Sequence, residues 1–120
     1  VENMRNKRRH KRVLISGIAT LEFEEKGVIQ LIQAVIANIS LKGIGLYSYD
    51  SIKVKTRVSI TINFISINGE IKTNSVEGRV IFKKKIGKTY FIGIKFSEEI
   101  NAEEQPSLFD HIKKSLTWGA

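Results

Sequence analysis

What the chain lacks narrows its chemistry first. Its 120 residues include no cysteine, so disulfides and thiolate nucleophiles are excluded and a reducing, cytoplasmic setting is expected. Aspartate occurs only at Asp50 and Asp110, and neither belongs to a recognisable acid pair. His10 and His111 lie far apart with no carboxylate cluster nearby, so no metal site is expected and both are read as facing solvent. No phosphate-binding glycine loop, serine-nucleophile elbow or H-E-x-x-H pattern occurs, and no enzymatic role is read from the chain. No apolar run is long enough to span a bilayer, and the basic N-terminus is not followed by the apolar stretch of a signal peptide. Opening on Val1 fits a piece of a longer protein or a processed start.

The length predicts one domain able to bury an ordinary core without staples. The net charge is +8, from 20 basic and 12 acidic residues. Residues 1–12 hold Arg5, Lys7, Arg8, Arg9, Lys11 and Arg12 against Glu2 alone, a net +5 that leaves +3 for the remainder. The positive field is therefore read as concentrated at the N-terminus, where it favours an anionic partner.

From Val13 the pattern becomes that of strands. Val13, Ile15, Gly17, Ala19, Leu21 and Phe23 alternate with mostly polar residues, and Glu24 to Gly27 reads as a turn. Residues 28–37 are apolar on both parities, and their Val/Ile content favours a strand over a short helix. Ile44 to Tyr49 predicts another short strand. Val58, Ile60, Ile62 and Phe64 alternate with Arg57, Ser59, Thr61 and Asn63, and Asn68-Gly69 then predicts a type I′ hairpin. The return strand is expected from Glu70 to Phe82 with a bulge at Gly78. Lys83 to Lys88 is read as a basic turn, and Tyr90, Ile92, Ile94 and Phe96 as the inward row of a last strand. Pro106 fits a first helical turn, after which Leu108, Phe109, Ile112 and Leu116 share a helical face and Trp118 packs the helix end. The fold class is mainly all-β: a small six-stranded antiparallel barrel with a C-terminal helix.

Two short patterns bracket the first strands. Arg8-Arg9-His10-Lys11-Arg12 gives R-x-x-x-R, and Asn38-Ile39-Ser40-Leu41-Lys42-Gly43 gives N-x-S-x-x-G. Guanidinium groups clamp phosphate and stack on bases. Residues four apart share a face in a helix and also in an extended segment. Asn38 offers donors and an acceptor to a base edge, Ser40 a rotatable hydroxyl, and Gly43 a backbone conformation closed to other residues. Together they predict a pocket for a guanine nucleotide carrying two or more phosphates. Read alone, the second pattern fits a polar turn between strands equally well, and Arg5 with Arg9 repeats the first spacing.

In these motifs, and in the Gly93-Ile94-Lys95-Phe96 close of the last strand, the chain resembles the PilZ domains, from Arg8 to the C-terminal helix. The resemblance implies a β-barrel receptor for the bacterial second messenger cyclic di-GMP. It implies ligand contacts by Arg8, Arg9, Arg12, Asn38, Ser40 and Gly43, and an influence of Lys7 on whether one ligand or a stacked pair binds. The register Arg8/Arg12 is preferred because Arg12 abuts the first strand, as in the family pattern. The family allows aspartate or asparagine at Asn38, and asparagine lacks the charge for a charge-assisted bond to guanine. The expected organisation is a flexible basic arm over residues 1–12 and a barrel over 13–120 whose helix covers about 102–117. Ligand binding would change the conformation and pass a signal to a downstream protein or fused domain. Two other readings share the composition: a basic barrel that binds single-stranded nucleic acid, and a PilZ-fold interaction module without a ligand.

Overall fold

The computed structural model describes residues 11–119. Among the described residues six strands, β1 (Gly17–Glu25), β2 (Val28–Ile39), β3 (Gly43–Ser48), β4 (Arg57–Ile65), β5 (Ile71–Ile86) and β6 (Thr89–Phe96), precede one helix, α1 (Pro106–Gly119). They close into a barrel in the order β1-β2-β3-β6-β5-β4, and every neighbouring pair is antiparallel. Closure leaves no strand edge unpaired. It also imposes one rule on each strand, since alternate side chains point into the barrel. Ala19 and Leu21 of β1, Ile60 and Ile62 of β4, and Ile92 and Ile94 of β6 obey it and are almost fully buried. The β2 pattern is explained the same way. Ala34 and Ile36 face in, whereas Leu31 and Val35 face out and are exposed.

α1 closes one end of the barrel. Its start is anchored by two contacts to β5: the Leu108 N–H donates to Asn74 Oδ1 (2.8 Å), and Nε2 of Gln105, just before the helix, donates to the Ser75 carbonyl (3.2 Å). Ahead of it, Asn101 Oδ1 accepts from the N–H groups of Glu103 and Glu104 and shapes the approach to the helix. Leu108 and Ile112 then drop into the core.

Several expectations need correction. His111 does not face solvent. It lies on the same helical face as Leu108 and Ile112, is buried, and stands edge-on to Phe64 with ring centroids 5.5 Å apart. Its Nε2 lies 3.5 Å from the Leu14 carbonyl, and its Nδ1 has no partner among the described residues. Val13 begins no continuous strand; it makes an isolated bridge to Ile39, and β1 starts at Gly17. Asn68-Gly69 is not a type I′ turn, because only Gly69 has positive φ and a five-residue loop joins Ile65 to Ile71. The two-residue turn with both φ positive is Lys26-Gly27. The β5 bulge lies between Val80 and Phe82 rather than at Gly78, and β5 continues through the lysines to Ile86, so the basic turn shrinks to Gly87-Lys88. His10 and the Trp118 side chain lie outside the described residues.

Inward position predicts stability. Phe64→Ala should cost about 3–5 kcal/mol, the usual range for emptying a buried phenylalanine site. Leu31→Ala, on the outer face of β2, should change stability by about 0.5 kcal/mol or less. Urea unfolding of both variants checks the assignment.

Candidate functional site

Arg12, the last residue of the first motif, meets the second motif at the start of the barrel. The Val13 N–H donates to the Ile39 carbonyl (2.7 Å), and the Ile39 N–H donates back to the Val13 carbonyl (3.0 Å). This reciprocal pair fixes the segment before β1 against the end of β2. Val13 and Ile39 both face the core, which leaves Arg12 and Asn38 on the outer side of the pair. There Arg12 Nη1 donates to Asn38 Oδ1 at 2.7 Å, linking residues 26 apart in sequence. A donor with full charge shortens and strengthens such a bond.

A bulge aims Asn38. The β2–β3 register shifts between Ile36 and Asn38, so Ala37 is an extra residue opposite β3. Strict alternation after inward Ile36 would turn Asn38 into the core and Ile39 out. With one residue inserted, Asn38 faces out opposite Gly45 and Ile39 returns to the core. A second bulge, between Val80 and Phe82, does the same in β5. Val80 is buried, while Phe82 faces out opposite Gly93 and is half exposed.

The two bulges bracket a row across four strands: Asn38 on β2, Gly45 on β3, Gly93 on β6 and Phe82 on β5, each paired with the next. Its two central members have no side chain, and neighbouring side chains close over them, since both glycines are buried. A Cβ at Gly45 would stand 2.8 Å from Phe91 Cζ and 3.0 Å from Asn38 Oδ1, so glycine is what lets ring and amide share this space. One flank of the row is aromatic, with Tyr47 and Phe91 edge-to-face at 5.3 Å and Phe91 and Phe82 at 6.2 Å. On the other flank Gly43 pairs with Lys95, and Lys95 pairs with Arg79. Both cationic residues are exposed. A face with rings on one side and cations on the other suits a flat, anionic ligand.

Ser40 is buried, and its Oγ accepts from the N–H groups of Lys42 and Gly43, both at 3.2 Å. It therefore builds the turn between β2 and β3. Gly43 does not have the left-handed backbone expected of it, because its φ is not positive. It is required for close approach instead, since a Cβ there would stand 2.7 Å from the Ile94 carbonyl oxygen. The structure thus brings Arg12 and Asn38 together on the outer face and sets Ser40 and Gly43 in the adjoining turn. Lys7, Arg8 and Arg9 lie outside the described residues. Sequence reasoning missed Gly45, Lys95 and Arg79 as neighbours of this site. A signal existed for the ring, because Tyr47 and Phe91 stand on the polar parity of their strands. Among the described residues, no group of three or more His, Asp or Glu side chains is placed to hold a metal ion.

Comparison with known proteins bears on the family and the fold. A sequence model of the PilZ domain matches residues 6–114, nearly the whole chain. No curated protein sequence matches. Among solved structures, the fold is similar to the Bacillus subtilis inhibitor of motility MotI/DgrA, with a TM-score of 0.65 and 17% identity over 92% of this chain. The chain spans about half (52%) of that protein's length. It is also similar to the PilZ domain of YcgR from Escherichia coli, solved with c-di-GMP, with a TM-score of 0.57, 14% identity, and coverage of 94% of this chain and 97% of that one. At these identities the structural likeness speaks for the fold, and the match over residues 6–114 speaks for descent: the chain belongs to the PilZ domain family.

Proposed function

We propose that this domain is a receptor for cyclic di-GMP, and that it binds the ligand on the outer barrel face between Asn38 and Phe82. The observation that carries the reading is the 2.7 Å contact of Arg12 with Asn38 beside the Gly45–Gly93 pair, which unites a phosphate-clamping group with a base-reading amide. Arg12 exchanges part of that contact for the ligand, and Arg8 and Arg9 supply further guanidinium groups. Asn38 reads a guanine edge. The Phe91 and Tyr47 rings offer flat apolar surface to a base, and Lys95 and Arg79 complement the phosphates. Ser40 and Gly43 act by holding the turn whose backbone borders the ligand, and Lys7 tunes whether one ligand or a stacked pair is held. The YcgR domain, solved with c-di-GMP on the same fold, supports the choice of ligand. Binding draws residues 5–12 onto the barrel, and the altered surface is read by a downstream protein or fused domain. A second reading, single-stranded nucleic acid on the same rings, draws on the outer-face Tyr47–Phe91–Phe82 cluster.

Calorimetric titration separates these readings. The chain should bind cyclic di-GMP well ahead of GTP, cyclic di-AMP or a short oligonucleotide, and stronger binding of the oligonucleotide would favour the second reading. Arg12→Ala should weaken cyclic di-GMP binding by about 1.5–3 kcal/mol, the range for hydrogen bonds to charged groups.

The face itself is testable by crowding. Gly45→Val would displace the Phe91 ring and the Asn38 amide together. Its cyclic di-GMP affinity should fall at least as far as that of Arg12→Ala, and unchanged affinity would move the ligand off this face.

Linkage of arm and barrel is read by hydrogen exchange. Adding cyclic di-GMP should raise protection in residues 5–12 and 38–43 together, and leave residues 57–64 of β4 little changed. A change confined to 38–43 would remove the arm from the mechanism.

A further inference from the structure

The +3 carried by residues 13–120 conceals a strong asymmetry. Residues 51–57 and 79–95 hold nine basic side chains and no acidic one. The other residues of 13–120 hold five basic and eleven acidic side chains. The barrel body therefore has its own positive side, independent of the N-terminal arm. Arg79 and Lys95 of the nine belong to the outer face described above, and Arg57, at the start of β4, pairs with Arg79. The other six are all lysine: Lys53, Lys55, Lys83, Lys84, Lys85 and Lys88.

These six are brought to one place. β5 and β6 end in a two-residue turn, Gly87-Lys88, with Ile86 opposite Thr89. A strand lying on the core buries alternate residues, yet residues 84–88 are exposed on both parities, so this hairpin stands clear of the barrel. The 51–56 segment runs beside its base. The Lys55 N–H donates to the Val80 carbonyl (2.7 Å), and Lys83 Nζ donates to Ser51 Oγ (2.8 Å). Among the described residues, none of the six ammonium groups is paired with a carboxylate. Exposed apolar side chains are interspersed with them: Val54, Ile81 and, at the hairpin end, Ile86. Tyr49, 79% exposed, lies at the edge of the same segment.

We propose that this lysine-rich hairpin end docks the domain on the surface of an anionic lipid bilayer, with Ile86 entering the headgroup layer. The side-chain chemistry selects this occupant. Protein interfaces favour arginine and aromatic anchors and are depleted in lysine. Single-stranded nucleic acid calls for exposed ring faces among the cations; here Tyr90, under Lys83, and Phe91, opposite Lys84, are only partly exposed, whereas the exposed apolar side chains Val54, Ile81 and Ile86 are aliphatic. Lysines around a small aliphatic tip, with a tyrosine at headgroup level, are what a negatively charged bilayer surface attracts. The attraction amounts to about 1 kcal/mol per lysine near the surface, roughly a fivefold gain in partitioning each. This inference rests on the hairpin and not on the nucleotide reading, so either can fail alone.

The test is co-sedimentation of the full chain with phosphatidylcholine vesicles, with or without phosphatidylglycerol, at low and high salt. Binding should require phosphatidylglycerol and fall as salt rises. Lys53→Glu/Lys85→Glu/Lys88→Glu, three exposed positions, should lower it about a hundredfold or more. Ile86→Ser, which removes no charge, should also lower it, an effect that pure charge attraction would not produce. Removing two arm charges in Arg5→Ala/Lys11→Ala should matter much less than the triple change. Cyclic di-GMP titration of the triple variant, whose side chains lie outside the proposed nucleotide site, should give the wild-type affinity. Equal binding to vesicles with and without phosphatidylglycerol would overturn the proposal. So would wild-type partitioning of the triple variant, or tighter binding to a single-stranded oligonucleotide than to the anionic vesicles.

Discussion

A closed sheet allows each residue only two directions, and every other feature of this domain is fitted to that constraint. Because β1 pairs with both β2 and β4, there is no free edge at which a strand could slip. A slip of one residue would turn every core side chain outward. The inner rows are accordingly strict, with Leu21, Ile62, Leu46 and Ile92 all fully buried. An outer face with special chemistry must then be made by local exceptions, and two single-residue bulges supply them. Ala37 rephases β2 so that Asn38 turns out while Ile39 stays in, and Ile81 rephases β5 so that Phe82 turns out beyond buried Val80.

Between those exceptions, the paired glycines make room for their neighbours' side chains. Gly45 lies opposite Gly93, both buried, flanked by the Phe91 and Tyr47 rings and by two exposed cations. The Val13–Ile39 bridge brings Arg12 to the edge of that face, and the Arg12–Asn38 bond is its first side-chain consequence. Structure and charge thus converge at one end of β2. The Ser40 turn gives the same region rigidity, because its buried hydroxyl engages two backbone N–H groups.

Much of this was legible in the sequence, and the reason is period. A strand that buries one face must alternate, so 57–64 and 90–96 announced themselves and the six-stranded barrel followed. Where the period breaks, reading failed. The bulge at Ile81 was misplaced to Gly78, because a glycine marks conformational freedom and not which residue the partner strand leaves unpaired. Lys83 to Lys85 looked like a turn, but a hairpin that stands clear of the core can be charged on both faces and still pair fully. His111 was assigned by residue type, although its spacing from Leu108 puts it on the buried helical face. Within the site, Arg12 and Asn38 were visible as motif members. The cross-strand neighbours Gly45, Lys95 and Arg79 were not, because adjacency across a barrel depends on a register that no local pattern encodes.

The central claim is that the ligand face is the outer row from Asn38 to Phe82. The most direct measurement is an amide chemical-shift titration of the isotope-labelled chain with cyclic di-GMP. The account predicts that the largest shifts fall on Asn38, Gly45, Gly93 and Lys95, the Arg12 and Asn38 side-chain resonances among them, while β1 and β4 outer residues such as Glu22 and Ser59 barely move. Shifts centred on β1 and β4, with the Gly45 and Gly93 amides unmoved, would contradict it.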